Sequence, residues 1–334
     1  MTFLSSQVGR PIADRFLAGF NGTILAYGQT GSGKTYAIQG PGDVACATST
    51  RGLMPRAVEH VFEALAKRAE SNPSAVSTVS ISYLQLYLDK TEDLLAGVPD
   101  MPRNLRRGSA ATTTAGAAAA AAAANAANGG ASATSPVNGG SPSNGLNVMS
   151  TAALASGQAN YRSVFVGDAA ECLYYIKKGA DNRRVSATAA NAESSRSHSV
   201  FRLKLHTTEK ELDGSTVARL ATFTLVDLAG SERQKEAQTK GMQLSEACSI
   251  NSSLSTLSLV ISRLKDSARS GKRAVIPYRD SALTYLLQDS FGGNCLTCLI
   301  ACISPSISAV NMTISTLRFA SNALEVKNFA KVRI

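Results

Sequence analysis

Gly28-Gln29-Thr30-Gly31-Ser32-Gly33-Lys34-Thr35 fills every fixed position of the G-x-x-x-x-G-K-[ST] pattern. The run before it, Thr23-Ile24-Leu25-Ala26-Tyr27, reads as a buried strand, which is the context the pattern requires. Glycines at these spacings let backbone N–H groups turn toward an anion without a Cβ in the way. The helix that follows points its N-terminal dipole at the same place. Gln29, Thr30, Gly31, Ser32 and Gly33 would cradle phosphates, Lys34 would reach the outer ones, and Thr35 would offer its hydroxyl to a bridging Mg²⁺. A glycine-rich turn with no ligand is the competing reading, and the strand in the required place argues against it.

Outward from this stretch, the chain of 334 residues is long enough for one large α/β domain or two small ones. A hydrophobic content of 44% supports a sizeable core, and no apolar run is long enough to cross a bilayer. The net charge of +10 favours an acidic partner without choosing among nucleic acid, an anionic membrane and an acidic protein surface. The six cysteines are scattered; Cys295 and Cys298 form a lone C-x-x-C with no second pair, so zinc is not expected and buried free thiols are. Reduced thiols fit a cytosolic setting.

Hydrophobic periodicity places the other elements. Ile12, Phe16, Leu17 and Phe20 share a helical face, and Val58, Val61, Phe62 and Leu65 form a core-facing stripe behind Pro55. Val79, Ile81 and Tyr83 alternate as a strand ending near Leu88. From about 103 to 157 Ala, Gly, Ser, Thr and Asn dominate, with few large apolar side chains, which predicts a disordered insertion; a functional loop is the alternative, and Leu146-Asn147-Val148 reads as a short strand within it. Order returns at Tyr161–Val166, and Asp168 with Glu171 resembles a capping box opening a helix through Cys172, Leu173 and Ile176. Phe201, Leu203 and Leu205 alternate with Arg202, Lys204 and His206, a strand with one wet face. Phe223–Asp227 is an apolar strand ending on a carboxylate, and Ile250, Leu254, Leu257, Ile261 and Leu264 mark a long helix. Leu296–Ile303 reads as a further strand and Ile314–Val326 as a further amphipathic helix. Strands alternating with helices around one phosphate loop predict an α/β fold with helices on both faces of the sheet.

Two more stretches sharpen the chemistry. Asn191-Ala192-Glu193-Ser194-Ser195-Arg196-Ser197-His198 gathers hydroxyls, a cation and an imidazole before a strand. Asp227-Leu228-Ala229-Gly230-Ser231-Glu232 follows another, with Asp227 where a Mg²⁺-side carboxylate belongs and Gly230 free to bring its N–H to a γ-phosphate. Together with the phosphate loop, these resemble the three nucleotide-contacting motifs of the kinesin motor domain. Asn21-Gly22-Thr23, Tyr278-Arg279-Asp280-Ser281, Leu287-Gln288-Asp289-Ser290 and Ser315-Thr316-Leu317-Arg318-Phe319-Ala320 fit the same family, over about 16 to 328. Myosin differs in its second and third motifs, and the N-K-x-D of a small GTPase is absent.

The resemblance implies a P-loop NTPase with a central, mostly parallel twisted sheet, forming one motor domain over residues 1–334. It implies ATP and Mg²⁺ as cofactors, with the metal held by Thr35, by Ser195 and, through water, by Asp227. Ser194 and Ser195 would close on the γ-phosphate. Arg196 and Glu232 would pair in the closed site to position the attacking water, and Tyr36 would stack on the adenine. The partner implied is the microtubule, met through about Arg233–Ser281, with Arg233, Lys235, Lys240, Lys265, Arg269, Lys272, Arg273 and Arg279 attracting its acidic surface. Neither a membrane span nor nucleic acid is expected, the location would be cytoplasmic and cytoskeletal, and any dimerisation would use segments outside this chain.

Departures from the family pattern matter. Ser252, Leu259, Ala282 and Tyr285 stand where the family usually has polar or basic residues. The family's opening strands with their Arg-x-Arg-Pro adenine contact have no counterpart, which predicts an N-terminally incomplete domain with an exposed sheet edge. A nucleotide-dependent microtubule-binding module with impaired turnover is therefore the alternative function, and a nucleic-acid-stimulated ATPase a more distant one.

Overall fold

The computed structural model describes residues 2–41, 50–102, 148–149, 161–189, 196–210, 214–232, 242–271 and 274–334. Strands β1 (Gly22–Tyr27), β2 (Val76–Tyr87), β3 (Lys90–Asp93), β4 (Val148–Met149), β5 (Val164–Val166), β6 (His198–Lys210), β7 (Thr216–Asp227) and β8 (Leu296–Ala301) form one sheet. Its order is β4-β3-β2-β6-β7-β1-β8, with β5 beside β2. The main helices are α1 (Arg10–Leu17), α2 (Lys34–Ile38), α3 (Leu53–Ser71), α4 (Ala169–Ala189), α5 (Met242–Ser270), α6 (Ala282–Leu286) and α7 (Val310–Leu324).

The expected mostly parallel sheet is a mixed one. β1 runs parallel to β7 and β8, whereas β2, β3, β4, β5 and β6 pair antiparallel with their neighbours, as β6 does with β7. For the β2–β3 and β6–β7 pairs the physical reason is connection length, because a parallel pair needs a crossover of about a dozen residues or more. β2 and β3 are joined by Leu88 and Asp89 alone, both at positive φ (51° and 58°), which is the backbone of a tight hairpin turn. β6 turns into β7 with Lys210 paired to Thr216. Neither link leaves room for a helix.

Alternation along the strands feeds two apolar layers. Ile24 and Ala26 of β1, with Phe201, Leu203, Phe223 and Leu225, pack on one face against Phe16, Met54, Val58 and Ile176 from α1, α3 and α4. Leu25, Val200 and Val226 point to the other face and meet Leu254, Leu257, Ile261, Leu283 and Phe319 from α5, α6 and α7. Helices on both faces are thus as expected, with period 2 in each strand as the cause. The helix at Asp168 is capped much as predicted: its carboxylate accepts from the Glu171 amide at 2.7 Å, and Glu171 accepts from the Gly167 amide at 2.9 Å.

The predicted insertion lies outside the described residues except for Val148 and Met149, which pair with Glu92 and Thr91. Of the strand expected at Leu146–Val148, Val148 is in β4, and Leu146 and Asn147 lie outside the described residues. At the opposite side of the sheet β8 is the terminal strand, and all six of its residues are half-buried.

Gly179 of α4 packs on the ring of Tyr83, which is fully buried and meets Phe201 edge-on. A Cβ on Gly179 would come within 2.4 Å of that ring. Gly179→Ala is expected to lower stability by about 1–3 kcal/mol through overpacking, outweighing alanine's better helix propensity of about 1 kcal/mol. A thermal unfolding midpoint below that of the parent protein checks it.

Candidate nucleotide-binding site

The sheet brings the three motifs to one end. β1 and β7 run parallel with Ala26 opposite Asp227, so the loops leaving both strands emerge side by side. β6 runs the other way with Ser199 opposite Asp227, so the segment entering it arrives at the same edge. This is where a doubly wound sheet places its ligand.

Gly28, Gly31 and Gly33 all hold positive φ (153°, 77° and 94°). A Cβ on Gly28 would lie 2.0 Å from the Cys302 carbonyl oxygen, so close approach to the end of β8 requires glycine there. Gly31 and Gly33 face open space, and their requirement is conformational. Ser32 closes the loop by donating its hydroxyl to the Gln29 carbonyl at 2.7 Å. Lys34 is buried and donates to the same carbonyl at 2.7 Å. Burial pulls the Lys34 ammonium below the ordinary lysine range, while Asp227 and Glu232 oppose that shift.

The Thr35 hydroxyl donates to Asp227 Oδ2 at 2.8 Å. The same oxygen takes a hydrogen bond from Arg183 at 3.0 Å, forming a buried ion pair. Arg183 also reaches the Ser199 hydroxyl and the Ser197 carbonyl. Asp227 Oδ1 is buried with no hydrogen-bond partner. A buried acceptor in that condition is costly. Together with the adjacent Thr35 hydroxyl it fits Mg²⁺, which keeps most of its waters and takes few protein ligands. Among the described residues no group of three His, Cys, Asp or Glu side chains forms an all-protein metal cage. The free thiols described, Cys172, Cys295, Cys298 and Cys302, agree with the sequence reading.

Glu232 is engaged differently from the closed-site expectation. Its carboxylate accepts from the Thr30 amide at 2.8 Å and from the Thr30 hydroxyl, so it lies on the phosphate loop and not on Arg196. Gly230 sits in the gap, where a Cβ would fall within 2.5 Å of both the Thr30 hydroxyl and the Glu232 carboxylate. The Ser231 amide is held by the Gly28 carbonyl at 3.1 Å. Tyr36 is 46% exposed beside the loop, as a base platform has to be. Ser194 and Ser195 lie outside the described residues, and Arg196 is half-buried at the edge of a small cleft shared with His198 and Ser253.

Two residues were missed as site residues. Arg183 continues the buried α4 stripe of Cys172, Ile176 and Gly179, and a cation at that spacing was the available signal. His198 was noted only as part of a motif. Its Nδ1 accepts from the Ala229 amide at 3.0 Å and its Nε2 bonds the Ser253 hydroxyl at 2.9 Å, linking the loop after β7 to α5. Burial, with Arg183 and Lys34 nearby, pushes its pKa down to about 3.

Two cations expected on the basic face are internally committed. Lys265 and Arg269 both pair with Glu325 at the end of α7, at 2.9 and 2.7 Å. Arg279 is exposed and makes no ion pair among the described residues. Arg233, Lys235, Lys240, Lys272 and Arg273 lie outside the described residues. No helix among the described residues is long and apolar enough to cross a membrane.

The kinesin motor domain family profile matches residues 2–326. The chain is 39% identical over 333 residues to kinesin-like protein KIN-12B of Oryza sativa subsp. japonica, covering 97% of this chain and 26% of that protein. It is 36% identical over 332 residues to kinesin-like protein KIF15 of Rattus norvegicus, covering 98% of this chain and 20% of that protein. The chain thus spans about a quarter or less of these curated relatives. Among solved structures it resembles a fast kinesin, described in terms of ATPase mechanism and microtubule interactions, with a TM-score of 0.72 and 33% identity over 99% of this chain and 78% of the other. It also resembles a KIF14 dimer bound to AMP-PNP and a microtubule, with a TM-score of 0.72 and 32% identity over 99% and 79%.

His198 generates a pH prediction. Its folded pKa lies below the unfolded value of about 6.5, so the unfolded chain binds the extra proton first. Its contribution is complete above about pH 6.5 and is lost as pH falls toward 3. Urea unfolding at pH 7 and pH 5 is expected to show a smaller loss of stability in His198→Asn than in the parent protein.

Proposed function

We propose that this chain, which belongs to the kinesin motor-domain family, is one Mg²⁺-dependent ATPase motor domain that works on microtubules in the cytoskeleton. The observation that carries the proposal is the convergence of Gly28–Thr35, Asp227–Glu232 and the start of β6 at one end of the sheet. The family and the relatives support the motor class. The residue roles are our own reading.

Bound Mg·ATP supplies the scissile phosphoanhydride and a cation that neutralises charge developing on the phosphate oxygens. Thr35 and, through water, Asp227 would hold the metal, with the Asp227 oxygen that has no partner here available for that water. Lys34 leaves the Gln29 carbonyl for the outer phosphates, and the amides from Thr30 onward turn to the same charge. Glu232 moves from Thr30 toward Arg196 and orients the attacking water, with Gly230 offering its N–H to the γ-phosphate. Ser194 and Ser195 complete the closure, and Tyr36 stacks on the base. Loss of the γ-phosphate removes what both loops grip. His198 carries the movement of the second loop to Ser253 on α5.

The microtubule face would lie along α5 and the loop after it, drawing on Arg279 and the basic residues of the 233–281 segment. Engagement of Glu232 by Thr30 in place of Arg196 favours a second reading, a nucleotide-dependent microtubule-binding module with impaired turnover. Phosphate release measured beside microtubule cosedimentation separates the two, since the module reading requires nucleotide-sensitive binding without turnover.

Lys34→Ala is expected to lower ATP turnover by about two to three orders of magnitude. Glu232→Ala is expected to block hydrolysis while retaining ATP binding, because it also frees the Thr30 amide. Unaltered steady-state turnover in both variants defeats the proposal. Ser253→Ala removes only the α5 end of the histidine link, so basal turnover should hold while microtubule stimulation drops several-fold, read as the ratio of stimulated to basal rates.

A further inference from the structure

A second polar space lies near the opposite end of β1 from the phosphate loop. It is a cavity of about 170 Å³ between the wet face of β6 and β7, the 286–290 turn and the C-terminal segment. Register places Arg202 opposite Thr224 and Lys204 opposite Thr222, so all four side chains share one sheet face. The C-terminal segment crosses beside them, with the Arg333 carbonyl accepting from the Leu220 amide at 3.1 Å. Arg202, Lys204 and Arg333 line the cavity, against the single carboxylate of Asp289.

None of these four groups makes an ion pair within the described residues. Arg202 donates to the Leu286 carbonyl at 2.8 Å, which fixes its guanidinium at the rim. The Lys204 ammonium lies 5.9 Å from the centre of the Tyr161 ring. Three cations against one anion leave an excess of two positive charges around a space walled by hydroxyls. Ligand pockets for drug-sized molecules run from about 300 Å³ upward, so a nucleotide is too large for this one. A tetrahedral oxyanion fits, and two formal charges match the excess.

We propose that this cavity is a binding site for a doubly charged oxyanion of the phosphate class, bridging Lys204 and Arg202 of the sheet to Arg333 of the C-terminal segment. Occupancy would tie that segment to β7. The site is separate from the phosphate loop and does not depend on ATP hydrolysis.

The test is calorimetric titration of inorganic phosphate into the whole chain carrying Lys34→Ala, which weakens the other anion site, at constant ionic strength in chloride. One phosphate is expected to bind. Adding Lys204→Met or Arg333→Ala should weaken binding by about tenfold, near 1.4 kcal/mol, and Lys204→Arg should restore most of it. Arg333 is exposed in the C-terminal segment, so its variant decides the matter if Lys204→Met fails to fold. In the unmodified chain phosphate should also slow tryptic cleavage after Lys331. Absence of binding in the Lys34→Ala chain, or equal affinity in both double variants, overturns the proposal.

Discussion

The structure depends on where the Asp227 carboxylate is held. It ends an apolar strand, is 1% exposed, and shares one oxygen between the Thr35 hydroxyl and the Arg183 guanidinium. A carboxylate taken out of water needs such partners, since breaking a buried pair by removing one side typically costs about 3–5 kcal/mol. The sheet register sets Asp227 beside Ala26, Arg183 arrives from α4, and Thr35 opens α2. Each element must therefore be in place for the charge to be tolerated. The orphaned second oxygen is the part of the arrangement that structure alone leaves incomplete.

The same electrostatics explains the posture of Glu232. Its carboxylate takes the Thr30 amide and hydroxyl, acting as an anion on a loop built for anions. A triphosphate would bring more charge to more donors and would also recruit Lys34, whose ammonium bonds the neutral Gln29 carbonyl here. Under the proposed function the ligand would win the competition, and the displaced carboxylate would become available elsewhere. Gly230 is what permits the observed arrangement, because any Cβ would fall on the Thr30 hydroxyl and the Glu232 carboxylate.

Much of this was legible in the residues. The phosphate loop, its strand and the carboxylate at the end of Phe223–Asp227 are local patterns with fixed spacing, so they could be read directly. The two-sided core followed from period-2 alternation in β1, β6 and β7. The antiparallel turn from β2 into β3 was not legible, because Leu88-Asp89 carries no glycine to announce a tight hairpin. Arg183 was hidden for another reason: its partner is distant in sequence, and only packing of α4 on the sheet brings the two together. The pairing of Lys265 and Arg269 was not legible because composition shows a charge and not its neighbour, here Glu325 from the far end of α7.

His198 shows why a neutral side chain serves as the link in a site crowded with cations. Arg183 and Lys34 already place two positive charges nearby, and a protonated imidazole would add a third in a dry environment. Protonation would also convert Nδ1 from acceptor to donor and set it against the Ala229 amide. With Nδ1 accepting, the ring must carry its proton on Nε2, so that atom donates to Ser253. The electrostatics of the nucleotide end thus fixes the tautomer, and the tautomer fixes which hydrogen bond α5 receives. Under the proposed function a shift of the Ala229 backbone would reach Ser253 through one rigid ring, along two direct hydrogen bonds.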